Sequence, residues 1–178
     1  MRFDRTNGNP ASHIVNTYDL HSLRTILNEY GEEPKAHYIA HAIVEARKQK
    51  PIETTKDLRD IIEASSFDKK STLRVFQALR IALNDEFEHI RQSLEQSIAL
   101  LAPHGRIAVI TFHSLEDRLV KQLFQPYLKP IIDEVTGQDS IPARLARVTK
   151  KPIEPSQHEV HENPRSRSAK LRIVERIH

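Results

Sequence analysis

The sequence predicts an α/β fold in which a helical region precedes a smaller region built around a β-sheet. Apolar residues recur at helical spacing through most of the chain before Pro103. After Pro103 the period changes, and an apolar run over 107–110 is followed at once by polar and ionisable residues. A run with this ending is typical of a buried strand, and a short helical pattern follows it. The change of period predicts a domain boundary near Pro103.

Five short amphipathic helices are predicted before that boundary. Gly31 ends the first helix, and Pro34 suits the first turn of the second. Thr54 or Thr55 can cap the third helix, and Ser71 can cap the fourth. The apolar faces comprise, in chain order, Leu20, Leu23, Ile26, Leu27 and Tyr30; Ile39, Ile43 and Val44; Leu58, Ile61 and Ile62; Phe76, Leu79 and Leu83; and Phe87, Ile90, Leu94, Ile98 and Leu101.

The region after Pro103 has too few predicted strands for a closed α/β domain. Apolar and basic residues alternate over 168–177, which predicts a half-exposed strand with Leu171 on one face and Arg172 on the other. The other predicted elements are a strand over 106–111, a helix over 115–124, a loop over 126–140 and a second candidate strand over 145–149. Together these elements would form about half of a sheet.

The apolar run leads directly into a candidate catalytic cluster of His113, Ser114, Glu116 and Asp117. In open α/β sheets, ligands bind beyond the carboxyl ends of the strands, so a buried parallel strand over 106–111 would deliver these side chains to a site. The alternative is structural: Ser114 caps the next helix, and the two carboxylates are favourable in its first turn. Capping by Ser114 does not explain His113, and the two interpretations are compatible.

The composition limits which other sites the chain can form. The 178 residues include no cysteine, which excludes a disulfide framework and a thiolate metal site. His37 and His41 lie four residues apart on a predicted helix, as zinc ligands can. No third ligand is evident, so a surface or capping role is favoured and no metal site is predicted.

The charge and hydropathy patterns favour an anionic partner over a membrane. The formal net charge is +3, and basic residues cluster toward the end of the chain, which fits nucleic acid. No apolar stretch approaches transmembrane length, and the first residues lack the apolar core of a signal peptide. The chain is therefore predicted to be cytoplasmic, with no membrane partner.

Six short segments carry a family resemblance, which extends over essentially the whole chain. They are Met1-Arg2-Phe3-Asp4, Tyr30-Gly31-Glu32-Glu33, Ile39-Ala40-His41-Ala42-Ile43, Phe76-Gln77-Ala78-Leu79-Arg80-Ile81, Phe112-His113-Ser114-Leu115-Glu116-Asp117-Arg118 and Glu162-Asn163-Pro164-Arg165-Ser166-Arg167-Ser168. In this order the segments resemble the bacterial 16S ribosomal RNA cytosine-N4 methyltransferases, the MraW family. The resemblance implies transfer of a methyl group from S-adenosylmethionine to the exocyclic amine of one cytidine in the decoding region. It also implies 16S ribosomal RNA, or the small ribosomal subunit, as the partner.

The resemblance implies a domain organisation as well. Members of the family have a Rossmann-like methyltransferase domain that is interrupted by a helical insertion. On that template, residues 1–9 form a loop beside the active site, which contains Arg2 and Asp4. Residues 10–102 then form the helical insertion, and residues 103–178 form the C-terminal half of the methyltransferase sheet.

The resemblance further implies that the main S-adenosylmethionine site lies outside this chain. In the family, the glycine-rich turn and the acidic residue that hold the cofactor precede the motif that begins here at Met1. The chain has four glycines, and none belongs to a Gly-x-Gly cluster after a strand, so no cofactor-binding residue is predicted. A missing N-terminal half, upstream or on a separate chain, would then be a required partner. A smaller departure is His104, where the family usually has glycine.

One candidate RNA-binding group is formed by Asn163, Arg165 and Arg167. Pro164 fixes a turn or an extended conformation between them, and arginine suits bidentate recognition of phosphate. A solvated basic loop is the structural alternative, and the family resemblance favours a role at the RNA or in the wall of the active site.

A second candidate RNA-binding group is formed by Gln77, Arg80 and Asn84. These residues share one face of a predicted helix, at spacings of three and four. In the family this helix lines the cleft. A polar face turned to solvent is the structural alternative.

The chemistry implied by the resemblance suits the residues that follow Phe112. The amine of cytosine is a poor nucleophile because its lone pair is delocalised into the ring, so an enzyme must hold the amine in place. A backbone carbonyl, a serine oxygen, a carboxylate or a neutral histidine can accept a hydrogen bond from the amine. The segment 112–117 contains all four types of group.

Three hypotheses about function remain open at this point. The first is that the chain is the C-terminal part of such a methyltransferase and needs the other half for activity. The second is a non-catalytic RNA-binding or assembly module, which would keep RNA affinity without cofactor affinity. The third is a helical protein-interaction domain over 10–101, which leaves the segment 112–117 unexplained.

Overall fold

The computed structural model describes residues 9–132 and 139–178. The chain divides into two compact units, Met1–Glu86 and Phe87–His178, each with its own apolar core. This division falls one helix before the boundary predicted near Pro103, because the last helix before Pro103 shares its buried side chains with the sheet. The family-based limits of 10–102 and 103–178 stay a prediction.

The first unit consists of helices packed around one core. Leu27, Ile43 and Leu79 are fully buried there, and each such aliphatic side chain stabilises the fold by about 1.5–3 kcal/mol. The helices are α1 (Ala11–Thr17), α2 (Leu20–Glu29), α3 (Ala36–Gln49), α4 (Thr55–Ser66) and α5 (Lys69–Asn84). Helix α1, with only two buried residues, lies outside the predicted set.

Of the helix caps predicted in the first unit, the one for α4 is confirmed and the one for α5 is wrong. Thr54 caps α4 and forms a reciprocal capping box with Asp57, so this predicted cap is confirmed. Ser71 does not cap α5. Asp68 accepts the capping hydrogen bond there, and Ser71 lies buried in the first turn.

Gly31 marks a close approach of two helices. A Cβ atom on this residue would lie 2.7 Å from the carbonyl oxygen of Leu27 on α2 and 3.0 Å from that of Arg74 on α5. Any larger residue would push the helices apart. Helix α2 ends just before it, at Glu29, as the glycine predicts.

The second unit combines a small sheet with helices. Helix α6 (Glu86–Leu100) leads into it from the first unit. The elements that follow are β1 (Arg106–Thr111), α7 (Ser114–Phe124), a 3-10 helix (Gln125–Tyr127), β2 (Ile131–Ile132), β3 (Asp139–Ile141), β4 (Leu145–Arg147), α8 (Gln157–Glu162), a 3-10 helix (Pro164–Ser168) and β5 (Lys170–Arg176). None of the helices in the described ranges is long and apolar enough to cross a membrane.

The main sheet has the order β1-β5-β4, and both pairings are antiparallel. Arg106 lies opposite Glu175, and the β1–β5 register continues to Thr111 opposite Lys170. The apolar run predicts that β1 is a buried, parallel strand. Among the described residues it is instead an edge strand, antiparallel to β5, and the side chain of Ile110 is 59% exposed. An apolar run alone does not distinguish these arrangements.

The two faces of the main sheet have different surroundings. The face that carries Val109, Arg172 and Val174 packs against α6 and α7, and its core includes Val120 and Phe124. The opposite face, which includes Ile110 beside Leu171, is partly exposed. The alternation in β5 predicted a half-exposed strand, and the structure shows that its basic side chains lie on the helix-covered side.

The turn before β1 uses a residue in the left-handed region. His104 has a φ of 62°, and its backbone N–H donates to the carbonyl oxygen of Arg176 at 2.9 Å. Gly105 follows, and Arg176 N–H donates to its carbonyl oxygen at 2.9 Å. The left-handed region of backbone conformation favours glycine, the residue that the family resemblance implies at position 104.

Candidate functional site at the carboxyl end of β1

The carboxyl end of β1 passes into α7 through Phe112 and His113. His113 is the N-cap residue, because its Nδ1 atom accepts a hydrogen bond from the backbone N–H of Glu116 at 3.3 Å. In return, Glu116 Oε2 accepts hydrogen bonds from the backbone N–H of Phe112 at 2.7 Å and of His113 at 3.3 Å. This is a capping box in which histidine takes the place of serine or threonine.

The cap predicted at Ser114 therefore lies one residue earlier. Ser114 is the first residue of α7, and its side chain is exposed. The preference for serine, threonine, aspartate or asparagine at the N-cap gave no reason to choose His113. The structure thus gives a capping role to His113, the residue that capping by Ser114 did not explain.

The cap hydrogen bond defines the chemical state of the His113 ring. Since Nδ1 accepts a hydrogen bond, the proton of a neutral ring is assigned to Nε2. Nε2 is buried and makes no hydrogen bond of good geometry with a described residue, although Glu116 Oε1 lies 2.9 Å away.

Glu116 is held as a carboxylate inside the turn. Burial raises the pKa of its carboxyl group, but the His113 side chain and the backbone N–H of Phe112 outweigh burial, and the pKa lies below its ordinary value. Both of its oxygens face His113 or the backbone of the turn. Glu116 therefore stabilises the turn in its ionised form.

Asp117 connects α7 to β5. Its Oδ1 and Oδ2 atoms accept hydrogen bonds from Arg172 Nε at 2.6 Å and Nη2 at 2.9 Å, and Lys170 Nζ lies 3.9 Å from Oδ2. The hydrogen bond from Arg172 holds the pKa of the Asp117 carboxyl below its ordinary value, against a smaller effect of burial. A bidentate pair of this kind fixes the orientation of both side chains. Sequence reasoning missed Arg172, whose only signal was its place in an alternating strand.

The outward side of the turn is formed by Phe112 and Ser114. The Phe112 side chain is 56% exposed, and the Ser114 side chain is also exposed. A hydroxyl oxygen can accept a hydrogen bond from an amine, and an exposed aromatic ring can stack on a base. The structure thus brings the four predicted catalytic residues into one turn and adds Phe112, an exposed aromatic beside them, to the candidates.

The predicted RNA-binding group of Gln77, Arg80 and Asn84 has partners inside the first unit. The Arg80 guanidinium donates to both carboxylate oxygens of Glu86, at 2.9 and 3.1 Å. Asn84 Nδ2 donates to the carbonyl oxygen of Arg80 at 2.8 Å, and Gln77 Nε2 donates to that of Tyr30 at 3.5 Å. These contacts give each residue a structural role, and the role in RNA binding stays a prediction.

The predicted RNA-binding group of Asn163, Arg165 and Arg167 lies at the 3-10 helix Pro164–Ser168. The carbonyl oxygen of Asn163 accepts hydrogen bonds from the backbone N–H and the hydroxyl of Ser166, at 2.9 and 2.8 Å, and Ser166 is buried. Arg165 and Arg167 project from this anchored turn, and both are exposed. The turn predicted from Pro164 is confirmed as a 3-10 helix.

Arg2 and Asp4, the predicted active-site loop, lie outside the described residues.

The two described glycines do not form the glycine-rich turn of an S-adenosylmethionine site. Gly31 packs between two helices, and Gly105 lies in the turn before β1, where a Cβ would meet the carbonyl oxygen of Ala102 at 2.8 Å. Gly8 and Gly137 are outside the described residues. Neither described glycine follows a strand or cradles an open site, as a nucleoside-binding turn requires.

Comparison with known proteins shows that the chain is related to methylases. The model of the MraW methylase family matches residues 1–177, and the chain therefore belongs to that family. This match confirms the resemblance seen in the sequence motifs.

Two curated relatives match almost the whole chain. It is 46% identical over 189 residues to the ribosomal RNA small subunit methyltransferase H of Thermomicrobium roseum, covering 99% of this chain and 56% of the relative. It is 45% identical over 187 residues to the protein of that name from Caldicellulosiruptor saccharolyticus, covering 99% of this chain and 60% of the relative. The chain thus spans somewhat more than half the length of these relatives.

Proposed function

We propose that this chain forms the part of an S-adenosylmethionine-dependent methyltransferase that receives a cytidine of small-subunit ribosomal RNA for methylation at N4, in the cytoplasm. The observation that carries this proposal is the identity of 46% and 45%, across 99% of the chain, to proteins named ribosomal RNA small subunit methyltransferase H. The preorganised turn at the end of β1 supports it, since polar groups there surround an exposed hydroxyl and an exposed aromatic ring.

In this proposal the cofactor is held by the part of a family-length protein that this chain does not match. That part amounts to roughly two fifths of the relatives, since the chain covers 56% and 60% of them. The three-stranded sheet would then be one end of a larger Rossmann-like sheet, and α1 to α5 would belong to its helical insertion. No step of methyl transfer is assigned to the described residues alone.

The proposed role of this chain is to hold the cytosine amine. The Ser114 hydroxyl is the group we place in contact with the amine, and the Phe112 ring is placed against the base. His113, Glu116 and Asp117 act as positioning residues, because their polar atoms already hold the turn together. Correct placement of the reacting groups supplies a large part of many enzymatic rate enhancements.

A chimera tests this proposal directly. The unmatched residues of the Thermomicrobium roseum relative are joined to this chain, and the product is incubated with methyl-labelled S-adenosylmethionine and unmodified small ribosomal subunits. Digestion of the RNA to nucleosides is expected to show labelled N4-methylcytidine for the chimera. The chain alone is expected neither to bind the cofactor saturably nor to transfer label.

Variants of the chimera separate the roles of the turn. Ser114→Ala is expected to slow transfer at least tenfold, whereas Ser114→Thr keeps the hydroxyl and most of the rate. A folded chimera that binds the cofactor but labels no RNA would refute the proposed function. It would favour the alternative of a non-catalytic RNA-binding or assembly module. Saturable cofactor binding by this chain alone would refute the proposed division of the site.

A further inference from the structure

A small concavity in the second unit is lined by four basic side chains. Lys121 lies on α7, Arg147 on β4, Lys151 in the segment after β4, and Arg172 on β5. No carboxylate is among the described residues that line it. The remaining lining residues are apolar or uncharged: Phe124, Leu128, Thr149, Pro152, Ile173 and Val174.

Three of these four charges form no close ion pair with a described acidic residue, although Lys121 lies near enough to Asp117 to help lower the pKa of that carboxyl. Arg172 is neutralised by its bidentate pair with Asp117. Lys121, Arg147 and Lys151, which we call the basic cluster, are exposed and take part in none of the described ion pairs. The one described polar contact of an Arg147 side-chain nitrogen is a 3.5 Å approach to Gln125 Oε1, at the limit of a hydrogen bond. Like charges brought together without a counter-ion create a local positive potential that attracts anions.

The size and rigidity of the concavity limit what can bind there. Its volume of about 20 Å³ is room for about one water molecule, so neither a base nor a sugar can enter. A larger ligand must therefore lie over the concavity, against the exposed basic residues that line it. Thr149 Oγ1 donates to the carbonyl oxygen of Lys151 at 2.8 Å, which restrains the segment that carries Lys151.

We propose that the basic cluster binds a phosphodiester group of the substrate RNA. The cluster would fix the RNA backbone at a position separate from the turn at Phe112 that receives the base. This inference rests on the proposed function, because it takes RNA as the anionic ligand. Contacts of this kind position a nucleic acid without reading its sequence, and they make its binding sensitive to salt.

The test measures how the RNA affinity of the full chain depends on salt. A fluorescently labelled single-stranded RNA oligonucleotide is titrated with protein at several KCl concentrations, and binding is followed by anisotropy. The cluster variant carries Lys121→Gln, Arg147→Gln and Lys151→Gln, and the control variant removes three exposed charges of the first unit with Arg24→Gln, Lys56→Gln and Lys69→Gln. Thermal melts establish that both variants fold, as their exposed positions lead us to expect.

The expected result is a change of slope that is confined to the cluster variant. Each lost phosphate contact lowers the slope of log Kd against log salt by roughly 0.7 for single strands, so the cluster variant loses about 2 and the control variant keeps the wild-type slope. Equal losses in both variants would overturn the assignment to the cluster, and so would no loss in either, while the proposed function would stand. Failure of the wild type to bind RNA would overturn the RNA-contact part of both proposals. Equally tight binding of inorganic phosphate would identify a free anion site instead of an RNA contact.

Discussion

Asp117 and Arg172 lie 55 residues apart in the chain and form a bidentate ion pair, with donor–acceptor distances of 2.6 and 2.9 Å. The Asp117 and Arg172 side chains are only 12% and 20% exposed, so water screens the pair weakly. The pair fastens the first turn of α7 to β5 and thereby fixes the base of the candidate site.

Replacement of Asp117 by asparagine should destabilise the chain. Asp117→Asn removes the charge that balances a largely buried guanidinium, and a hydrogen bond to a charged group contributes about 1.5–3 kcal/mol. Urea unfolding is expected to show a loss of about 2 kcal/mol. The control is Asp60→Asn in the exposed Arg59–Asp60 pair, which should cost less than about 1 kcal/mol. Equal effects of the two substitutions would contradict the structural role of the buried pair.

The same pair predicts a pH dependence of stability. Arg172 lowers the pKa of Asp117 in the folded chain, whereas the unfolded chain has an ordinary aspartate pKa of about 3.9. The stabilisation is therefore fully present above about pH 5 and is lost as the pH falls through the lowered pKa. Urea unfolding between neutral and acidic pH should show that the difference between the wild type and Asp117→Asn begins to shrink near pH 4 and disappears only below the lowered pKa of Asp117. A difference that stays constant into acid would exclude the proposed cause.

The capping role of His113 can be separated from any chemical role. His113→Ala removes the cap acceptor and should lower the free energy of unfolding by about 1 kcal/mol. His113→Asn supplies a preferred capping oxygen in place of the ring nitrogen and should retain most of the stability. If asparagine is as damaging to stability as alanine, the cap is not what His113 contributes.

Position 104 offers a stabilising substitution. His104 has a φ of 62°, which costs a residue with a Cβ atom about 1–2 kcal/mol, and glycine avoids this strain. Glycine also loses more conformational entropy on folding, so the net gain for His104→Gly is expected to be about 0.5–1 kcal/mol. Thermal melting can measure it. His104→Ala keeps the strain and should bring no gain, and an equal gain from alanine would show that the histidine ring was the cause.

The two predicted RNA-binding groups should respond differently to the loss of arginine. Arg165→Gln with Arg167→Gln removes exposed charges, and it should weaken RNA binding in anisotropy titrations with an unchanged melting temperature. Arg80→Gln breaks the pair with Glu86 and should lower stability by about 1 kcal/mol with little change in RNA binding. A loss of RNA binding in Arg80→Gln at unchanged stability would instead support the predicted RNA contact of Arg80.

The helices and the two ends of strand β1 could be predicted because they depend on local sequence. The apolar spacing predicted α2 to α6, and β1 spans 106–111 as predicted. Helix α8 was missed because it has no buried residue and so no apolar stripe. Strand order was also beyond the sequence, since the place of β5 between β1 and β4 depends on contacts between distant residues.

The position of the candidate site could be predicted from the sequence, but the roles of its individual residues could not. The change from apolar to polar residues at Phe112 marked the turn correctly. His113 caps the helix because of the direction of its ring, which the sequence does not reveal. Arg172 on β5 faces the helix and pairs there with Asp117, and this partner is not evident from the sequence either. Alternation along a strand reveals two faces and does not tell which of them is covered.

The pairing of β1 with β5 also sets a delay during synthesis. Thr111 and its partner Lys170 are separated by 59 residues, which a ribosome adds in roughly 3–12 s at typical elongation rates. Helices α1 to α5 close their contacts within residues already made, and such local contacts form quickly. During those seconds the apolar strand β1 has no β5 to pair with, and its edge is open to aggregation. A chaperone would therefore protect the nascent chain most in the interval before β5 is made.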